Sequence, residues 1–175
     1  MSPNAALNLR DYIRDIPDFP KPGITFKDIS PLLADGKAFS SAVSQLASLI
    51  PEDTDVIVGI EARGFIFGAA LAAQLGIGFV PVRKPGKLPG EVHSIEYELE
   101  YGFDVLEIHR DALSKGHKIA IVDDLLATGG TARATVDLVR QLGAEVALCL
   151  FVIELGFLNG SDLLNDVPIK SLISY

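Results

Sequence analysis

Four short runs of apolar residues predict buried strands. They cover residues 55–60 (DVIVGI), 78–82 (GFVPV), 118–122 (KIAIV) and 145–153 (EVALCLFVI) and are rich in β-branched or aromatic residues. Continuous apolar strands are typical of a parallel sheet that is covered on both faces. The stretches between them predict helices at about 37–49, 64–75 and 130–142, the last followed by Gly143 as a cap. This alternation predicts one α/β domain whose ligands bind outside the carboxyl ends of the strands.

Two segments interrupt the alternation. Residues 18–31 (DFPKPGITFKDISP) are rich in proline and predict an ordered, irregular flap. Residues 83–103 (RKPGKLPGEVHSIEYELEYGF) begin with basic residues, proline and glycine, and they alternate over residues 92–99. Long excursions from a compact domain are usually functional or disordered. The alternation favours a hairpin or a mobile arm over disorder.

Composition and charge exclude several classes of protein. The chain has 175 residues, and 49% of them are apolar, which argues against disorder. Its net charge of −8 argues against a nucleic-acid partner. A local anion site stays compatible with this charge, because backbone amides and a few cations can hold a phosphate. No apolar run reaches the roughly 20 residues of a membrane-spanning helix, and residues 1–14 lack the apolar centre of a signal peptide. The single cysteine, Cys149, lies in an apolar run, so we expect a buried thiol in a cytoplasmic protein.

The strongest chemical signal is residues 119–131, IAIVDDLLATGGT. A buried strand is predicted to end at Asp123 and Asp124, and a loop of small residues then leads into a helix. Such a loop lets backbone amides converge at a helix N-terminus, where a phosphate is favoured. The adjacent carboxylates repel each other unless sugar hydroxyls, a cation or a metal-bound substrate compensates them. A turn with helix-capping acids is the alternative, and it explains each feature singly but not their order. The spacing fits neither a Walker A loop nor a dinucleotide fingerprint.

Two further stretches suit anions. Arg63 stands in a sharp turn after the first strand (EARGF, residues 61–65), where its forked donors suit a pyrophosphate. The alternative is an ordinary strand-to-helix connection with a solvated arginine. The arm begins with a basic cluster formed by Arg83, Lys84 and Lys87. The alternative to an anion site is an ordinary solvated loop.

These motifs closely resemble those of type I phosphoribosyltransferases. The resemblance implies that Asp123 and Asp124 bind the ribose hydroxyls of phosphoribosyl pyrophosphate, with Leu125 also among the substrate-binding residues. The 5′-phosphate would bind the loop Ala127, Thr128, Gly129, Gly130 and Thr131. It also implies a parallel sheet flanked by helices, a small N-terminal hood at about 1–34 and a flexible catalytic arm at about 83–103. A cis peptide is implied between Glu61 and Ala62.

The arm and the flap resemble the family members that use adenine, rather than hypoxanthine or orotate. In the arm, RKPGKLPG followed by LEYG carries the resemblance, which implies cations on pyrophosphate and Glu100 and Tyr101 near the purine. In the flap, FPKPGITFKDISPLL implies that Phe26 stacks on the base while the backbone at Thr25 and Lys27 reads its edge. Lys27 stands where many members carry arginine. A core role for Phe26 is the alternative.

The activity that this resemblance implies belongs to purine salvage. The 5-phosphoribosyl group would pass from phosphoribosyl pyrophosphate to adenine, giving AMP and pyrophosphate, with Mg²⁺ held mainly by the substrate. Glu100, Tyr101 and Arg63 are the catalytic candidates, and the partner is a second copy of the chain. Two alternatives stay open: a phosphoribosyltransferase for another purine base, and a non-catalytic regulator that binds phosphoribosyl pyrophosphate.

Overall fold

The chain divides into two units, Met1–Gln45 and Leu46–Tyr175. The structure is a computed structural model and describes residues 7–99 and 102–175. The first unit contains a 3-10 helix, Leu9–Tyr12, followed by β1 (Arg14–Ile16), β2 (Phe26–Asp28), α1 (Ser30–Ala34) and the start of α2 (Gly36–Ala47). β1 and β2 pair as an antiparallel hairpin.

The proline-rich flap is the connection between β1 and β2. The Phe19 amide donates to the Ile24 carbonyl at 3.1 Å. The Asp18 carboxylate accepts the Gly23 amide at 2.8 Å, and Gly23 takes a positive φ of 87°. These bonds close the loop on itself, which confirms the prediction of an ordered, irregular segment.

A five-stranded parallel sheet is the centre of the second unit. In chain order this unit contains β3 (Val56–Ile60), α3 (Gly64–Leu75), β4 (Gly78–Val82), β5 (Val92–Glu98), β6 (Phe103–His109), β7 (Lys118–Leu126), α4 (Gly130–Gln141), β8 (Glu145–Glu154) and β9 (Ile169–Ser174). The strand order in the sheet is β4-β3-β7-β8-β9, while β5 and β6 form a separate antiparallel hairpin. Two 3-10 helices, Gly156–Leu158 and Gly160–Leu164, connect β8 to β9.

The four apolar runs form strands of the sheet because both of their faces are covered. α3 contacts β3, β4 and β7, while α4 contacts β7 and β8. The central strands β3, β7 and β8 are buried over most of their length. Cys149 lies fully buried in β8, and burial raises the pKa of its thiol to about 12, as expected of a packing residue. Gly143 follows α4 with a φ of 81°, as a cap requires. The predicted α/β fold is confirmed.

Three features differ from the sequence-based expectation or add to it. β7 does not end at the acid pair but continues to Leu126, because β8 pairs with it as far as Leu126↔Glu154. The arm contains a hairpin, as predicted, yet its second strand β6 extends past residue 103 to His109. β9 was not predicted, because its apolar residues are interrupted by Lys170 and Ser171. Among the described residues, no helix has the length and apolar character to span a membrane.

Candidate active site

Asp123 and the small-residue loop line one pocket. It is formed at the carboxyl end of β7 and the start of α4 by Asp123 together with Leu125, Leu126, Ala127, Thr128, Gly129, Gly130, Thr131 and Ala132. Gly129 precedes α4 with a φ of 87°, and its carbonyl accepts the Arg133 amide at 2.9 Å. The loop therefore presents the free amides of a helix N-terminus to the pocket, which is the arrangement that favours an anion.

Asp123 is the electrostatically unusual member of the pair. Burial, and then the neighbouring charge of Asp124, raise the pKa of the Asp123 carboxyl well above 3.8. Its Oδ1 accepts the Asp124 amide at 2.8 Å. A donor or a cation placed in the pocket would relieve the repulsion between the two carboxylates. The pair is thus preorganised for sugar hydroxyls or a metal-bound substrate.

The Arg63 turn meets the acid pair. Arg63 Nε lies 2.8 Å from Asp124 Oδ2, and the aspartate side chain is only 7% exposed while the arginine is 40% exposed. The contact arises because β3 and β7 are parallel neighbours, so their carboxyl ends reach the same edge of the sheet. α3 begins so close to β7 that a methyl group on Gly64 would lie 2.8 Å from Asp123 Oδ1. The peptide bond between Glu61 and Ala62 is cis, as the resemblance implied.

Glu61 organises the basic cluster and was missed by sequence reasoning. Its carboxylate accepts hydrogen bonds from Arg83 Nη2 at 3.2 Å, the Lys84 amide at 2.9 Å and Lys87 Nζ at 3.1 Å. Burial alone would raise the pKa of Glu61, but these donors lower it to about 2. Strand pairing explains the cluster, since β3 and β4 end in register at Ile60↔Val82. The signal in the sequence that could have identified Glu61 was a carboxylate at the end of one strand and cations at the end of the neighbouring strand.

The arm is attached to the phosphate loop through Tyr97. The Tyr97 hydroxyl is 3.2 Å from Thr131 Oγ1 and donates to Asp104 Oδ2 at 3.2 Å. Lys84 forms an ion pair with Asp104 and also donates to the Tyr97 hydroxyl at 3.3 Å. At the base of the arm, the backbones of Arg83 and Glu107 exchange two hydrogen bonds of 3.0 and 2.8 Å. The predicted cations are therefore held by carboxylates of the same unit.

The predicted base-binding residues lie in the first unit. Phe26 is half-buried at the start of β2, and its ring meets the Phe19 ring edge-on at a centroid distance of 5.2 Å. Lys27 Nζ donates to Asp15 Oδ1 at 2.7 Å across the hairpin. Thr25 is exposed. Within this unit Phe26 packs against an aromatic neighbour but is not a fully buried core residue.

Two of the three catalytic candidates, Glu100 and Tyr101, lie outside the described residues. The flanking residues are described, and Leu99 donates its amide to the Gly102 carbonyl at 2.8 Å. Within residues 7–99 and 102–175, no group of three or more histidine, cysteine or acidic side chains could hold a metal ion.

The class of protein follows from this geometry and from comparison with known families. Residues 27–165 match the model of the phosphoribosyl transferase domain, so the match covers the acid pair, the phosphate loop, the Arg63 turn and the arm. The chain therefore belongs to the phosphoribosyltransferase family.

Individual relatives indicate to which subgroup of the family the chain belongs. An adenine phosphoribosyltransferase of Alkaliphilus metalliredigens is 59% identical over 170 residues, which are 97% of this chain and 100% of the relative. The crystal structure of adenine phosphoribosyltransferase from Thermoanaerobacter pseudethanolicus superposes with a TM-score of 0.93 at 56% identity, covering 95% of this chain and 98% of that one. The Saccharomyces cerevisiae enzyme, crystallised with adenine and an imino-altritol bisphosphate, gives a TM-score of 0.89 at 45% identity and covers 94% and 96% of the two chains. These relatives place the chain among the adenine phosphoribosyltransferases.

Proposed function

We propose that the chain transfers the 5-phosphoribosyl group from phosphoribosyl pyrophosphate to adenine, forming AMP and releasing pyrophosphate. One observation carries the proposal. Asp123 and the phosphate loop line a single pocket, and the neighbouring Asp124 pairs with Arg63, in a chain that is 59% identical over nearly its whole length to an adenine phosphoribosyltransferase. The family match spans parts of both units, which supports one functional domain with a hood and an arm.

The residues around the pocket suggest how the substrate is held. The loop from Ala127 to Thr131 would bind the 5′-phosphate through the amides at the start of α4. Asp123 and Asp124 would accept the ribose hydroxyls, with Leu125 lining the same pocket. Pyrophosphate would replace the carboxylates as the ion-pair partner of four cations, Arg63, Arg83, Lys84 and Lys87.

Magnesium is proposed to arrive with phosphoribosyl pyrophosphate. The adjacent carboxylates of Asp123 and Asp124 could assist a cation that is held mainly by the pyrophosphate and ribose oxygens of the substrate. When bound, it would neutralise charge on the leaving pyrophosphate. Asp123 and Asp124 would then keep the ribose oriented toward the incoming base.

The reaction is displacement at the anomeric carbon through an oxocarbenium-like state. The negative charges of Asp123 and Asp124 would favour the cation that develops on the ribose. Phe26 would stack on adenine, with the backbone at Thr25 and Lys27 at its edge. Glu100, with Tyr101 beside it, would accept a proton from adenine or orient the base, while the arm excludes water. These roles rest on the motif resemblance, from which Thr25 and Lys27 depart: Thr25 stands where an apolar residue is more usual and Lys27 where many members carry arginine.

A homodimer in the cytoplasm is proposed as the working form. α3 (GFIFGAALAAQL) is apolar around most of its circumference, and Ile66, Ala69 and Ala73 lie exposed on one side of it, with Ile66 39% exposed. An apolar helix face of this kind suits a second copy of the chain. The buried thiol of Cys149 suits a reducing compartment.

The deciding experiment is a spectrophotometric screen of purines with phosphoribosyl pyrophosphate and magnesium. We expect turnover with adenine and much slower turnover, or none, with hypoxanthine and guanine. Preference for another purine would support the alternative of a phosphoribosyltransferase for that base. Binding of phosphoribosyl pyrophosphate with neither turnover of any base nor isotope exchange would point to the non-catalytic regulator. A crystal structure with AMP should place its phosphate against residues 127–131.

A further inference from the structure

The phosphate loop is in contact with a glycine that lies far from it in sequence. Gly160 begins the 3-10 helix Gly160–Leu164 in the connection between β8 and β9, and it is buried. A methyl group on Gly160 would lie 2.2 Å from the Ala127 carbonyl oxygen and 2.9 Å from the Gly129 nitrogen. From the other side, a methyl group on Gly129 would lie 2.3 Å from the Gly160 carbonyl oxygen. Two backbones are thus in direct contact with no room for any side chain.

The atoms in this contact cannot move aside at little cost. They belong to backbone on both sides, and the Gly129 carbonyl is already bonded to the Arg133 amide of α4. The supporting segment is itself anchored. Leu164 is fully buried in the core, and Arg133 Nη1 donates to the Leu163 carbonyl at 3.4 Å and to Asp166 Oδ1 at 2.6 Å. A side chain at position 160 would therefore displace the loop rather than the support.

We propose that Gly160 is a positioning residue for the 5′-phosphate, and this rests on the proposed function. By supporting Ala127 and Gly129 from behind, Gly160 fixes the direction of the amides that bind phosphate at the start of α4. Preorganised amides lose little free energy on binding, whereas displacement of a binding group by about 1 Å can cost up to about 100-fold. The effect should fall on ligands that carry the 5′-phosphate and not on adenine.

The test compares wild type, Gly160→Ala and the control Gly78→Ala. A methyl group on Gly78 would meet its nearest neighbour, Val56, at an ordinary 3.7 Å. Calorimetry with AMP should show a Kd about tenfold higher in Gly160→Ala, about 1.4 kcal/mol, and an unchanged Kd in the control. In steady state, the KM for phosphoribosyl pyrophosphate should rise in the same proportion while the KM for adenine stays within about twofold. A merely structural role would lower Tm without separating the two KM values.

A second pair of variants covers the case in which Gly160→Ala does not fold. Arg133→Met releases the Leu163 carbonyl and leaves both glycines in place, whereas Arg140→Met removes another partner of Asp166 without touching Leu163. We expect the Kd for AMP to rise about threefold in the first and to stay unchanged in the second. AMP binding within twofold of wild type in Gly160→Ala, or in Arg133→Met if that is the variant that folds, would overturn the proposal. Calorimetry needs no turnover, so an inactive wild type that binds AMP would contradict the proposed function and leave this inference standing.

Discussion

At the scale of single residues, the charged groups of the pocket are held in pairs that a substrate would have to rearrange. Asp124 is bound to Arg63, and Glu61 forms ion pairs with Arg83 and Lys87. The low pKa of Glu61 and the raised pKa of Asp123 have opposite consequences. Glu61 stabilises the fold above the ordinary carboxyl pKa and loses that contribution as the pH falls toward 2. Asp123 is destabilising wherever it is ionised, which is typical of functional groups.

Replacing Asp123 by asparagine should therefore stabilise the protein while it impairs catalysis. The amide keeps an acceptor for the Asp124 amide and gains a donor toward Asp124, without the charge repulsion. We expect the free energy of unfolding at pH 7 to rise by about 1 kcal/mol, measured by urea denaturation without ligands. A raised folded-state pKa favours the protonated form, so the gain should vanish as the pH falls below about 3.8, where both states are neutral. Turnover should drop with every acceptor base. Equal stability of the two proteins at pH 7 would contradict this account.

Glu100 gives a complementary prediction about the base. If it handles the purine proton, Glu100→Leu should lower kcat by roughly 100-fold or more, the usual scale for general acid–base work. The affinity for phosphoribosyl pyrophosphate should change much less, because the phosphate loop and Arg63 are separate from it in sequence and chemistry. Asp123→Asn serves as the control that impairs ribose positioning. A folded Glu100→Leu variant with near-normal kcat would reduce Glu100 to a loop residue.

At the scale of elements, the arm is a hairpin that is fastened at two places. Its base is joined to the end of β4 by the paired backbones of Arg83 and Glu107, and the end of β5 near the turn meets α4 through Tyr97 and Thr131. The phosphate loop and the arm therefore share the Thr131 hydroxyl. A 5′-phosphate that takes this hydroxyl would compete with the arm for it.

Loss of the Tyr97 hydroxyl should loosen the hairpin and leave the sheet unchanged. We expect Tyr97→Phe to speed amide hydrogen exchange in β5 about fivefold, as follows from a hydrogen bond of about 1 kcal/mol. Exchange in β7 should be unaffected. Ser94→Ala is the matched control, because Ser94 lies on the same strand and is exposed. Among the side-chain hydrogen bonds of the described residues, its hydroxyl contacts only the Glu107 carboxylate, at 3.4 Å. Equal exchange in both variants would show that Tyr97 does not fasten the arm.

At the scale of the whole molecule, the exposed apolar side of α3 is the feature that a monomer explains least well. α3 also carries Gly64 and Gly68, which pack closely against Asp123 and Phe79, so its position is fixed by the sheet. Pairing through this helix would bring a second copy close to the Arg63 turn. The quaternary state and the active site would then depend on each other.

We expect the protein to sediment as a dimer, and Ile66→Glu to shift it toward monomer with a loss of activity. A charge buried at the centre of an apolar interface typically costs several kcal/mol. Leu158→Glu provides the control, since Leu158 is exposed to a similar extent, 40% against 39% for Ile66, but lies in a connection outside α3. A fully active wild-type monomer at assay concentrations would contradict the proposal. Dissociation by Leu158→Glu alone would place the interface elsewhere.

The sequence by itself determined the layers of the fold and the nature of the main site. Short continuous apolar runs rich in β-branched residues favour strands covered on both faces, and the order of acid pair, small-residue loop and helix is a local property of residues 123–131. Tertiary structure decided which strands are neighbours, and with that the pairing of Arg63 with Asp124 and of Glu61 with the arm. It also decided the contact of Gly129 with Gly160. These partners are separated by twenty or more residues, and no local pattern encodes a distance that is set by strand order, register and the approach of two backbones.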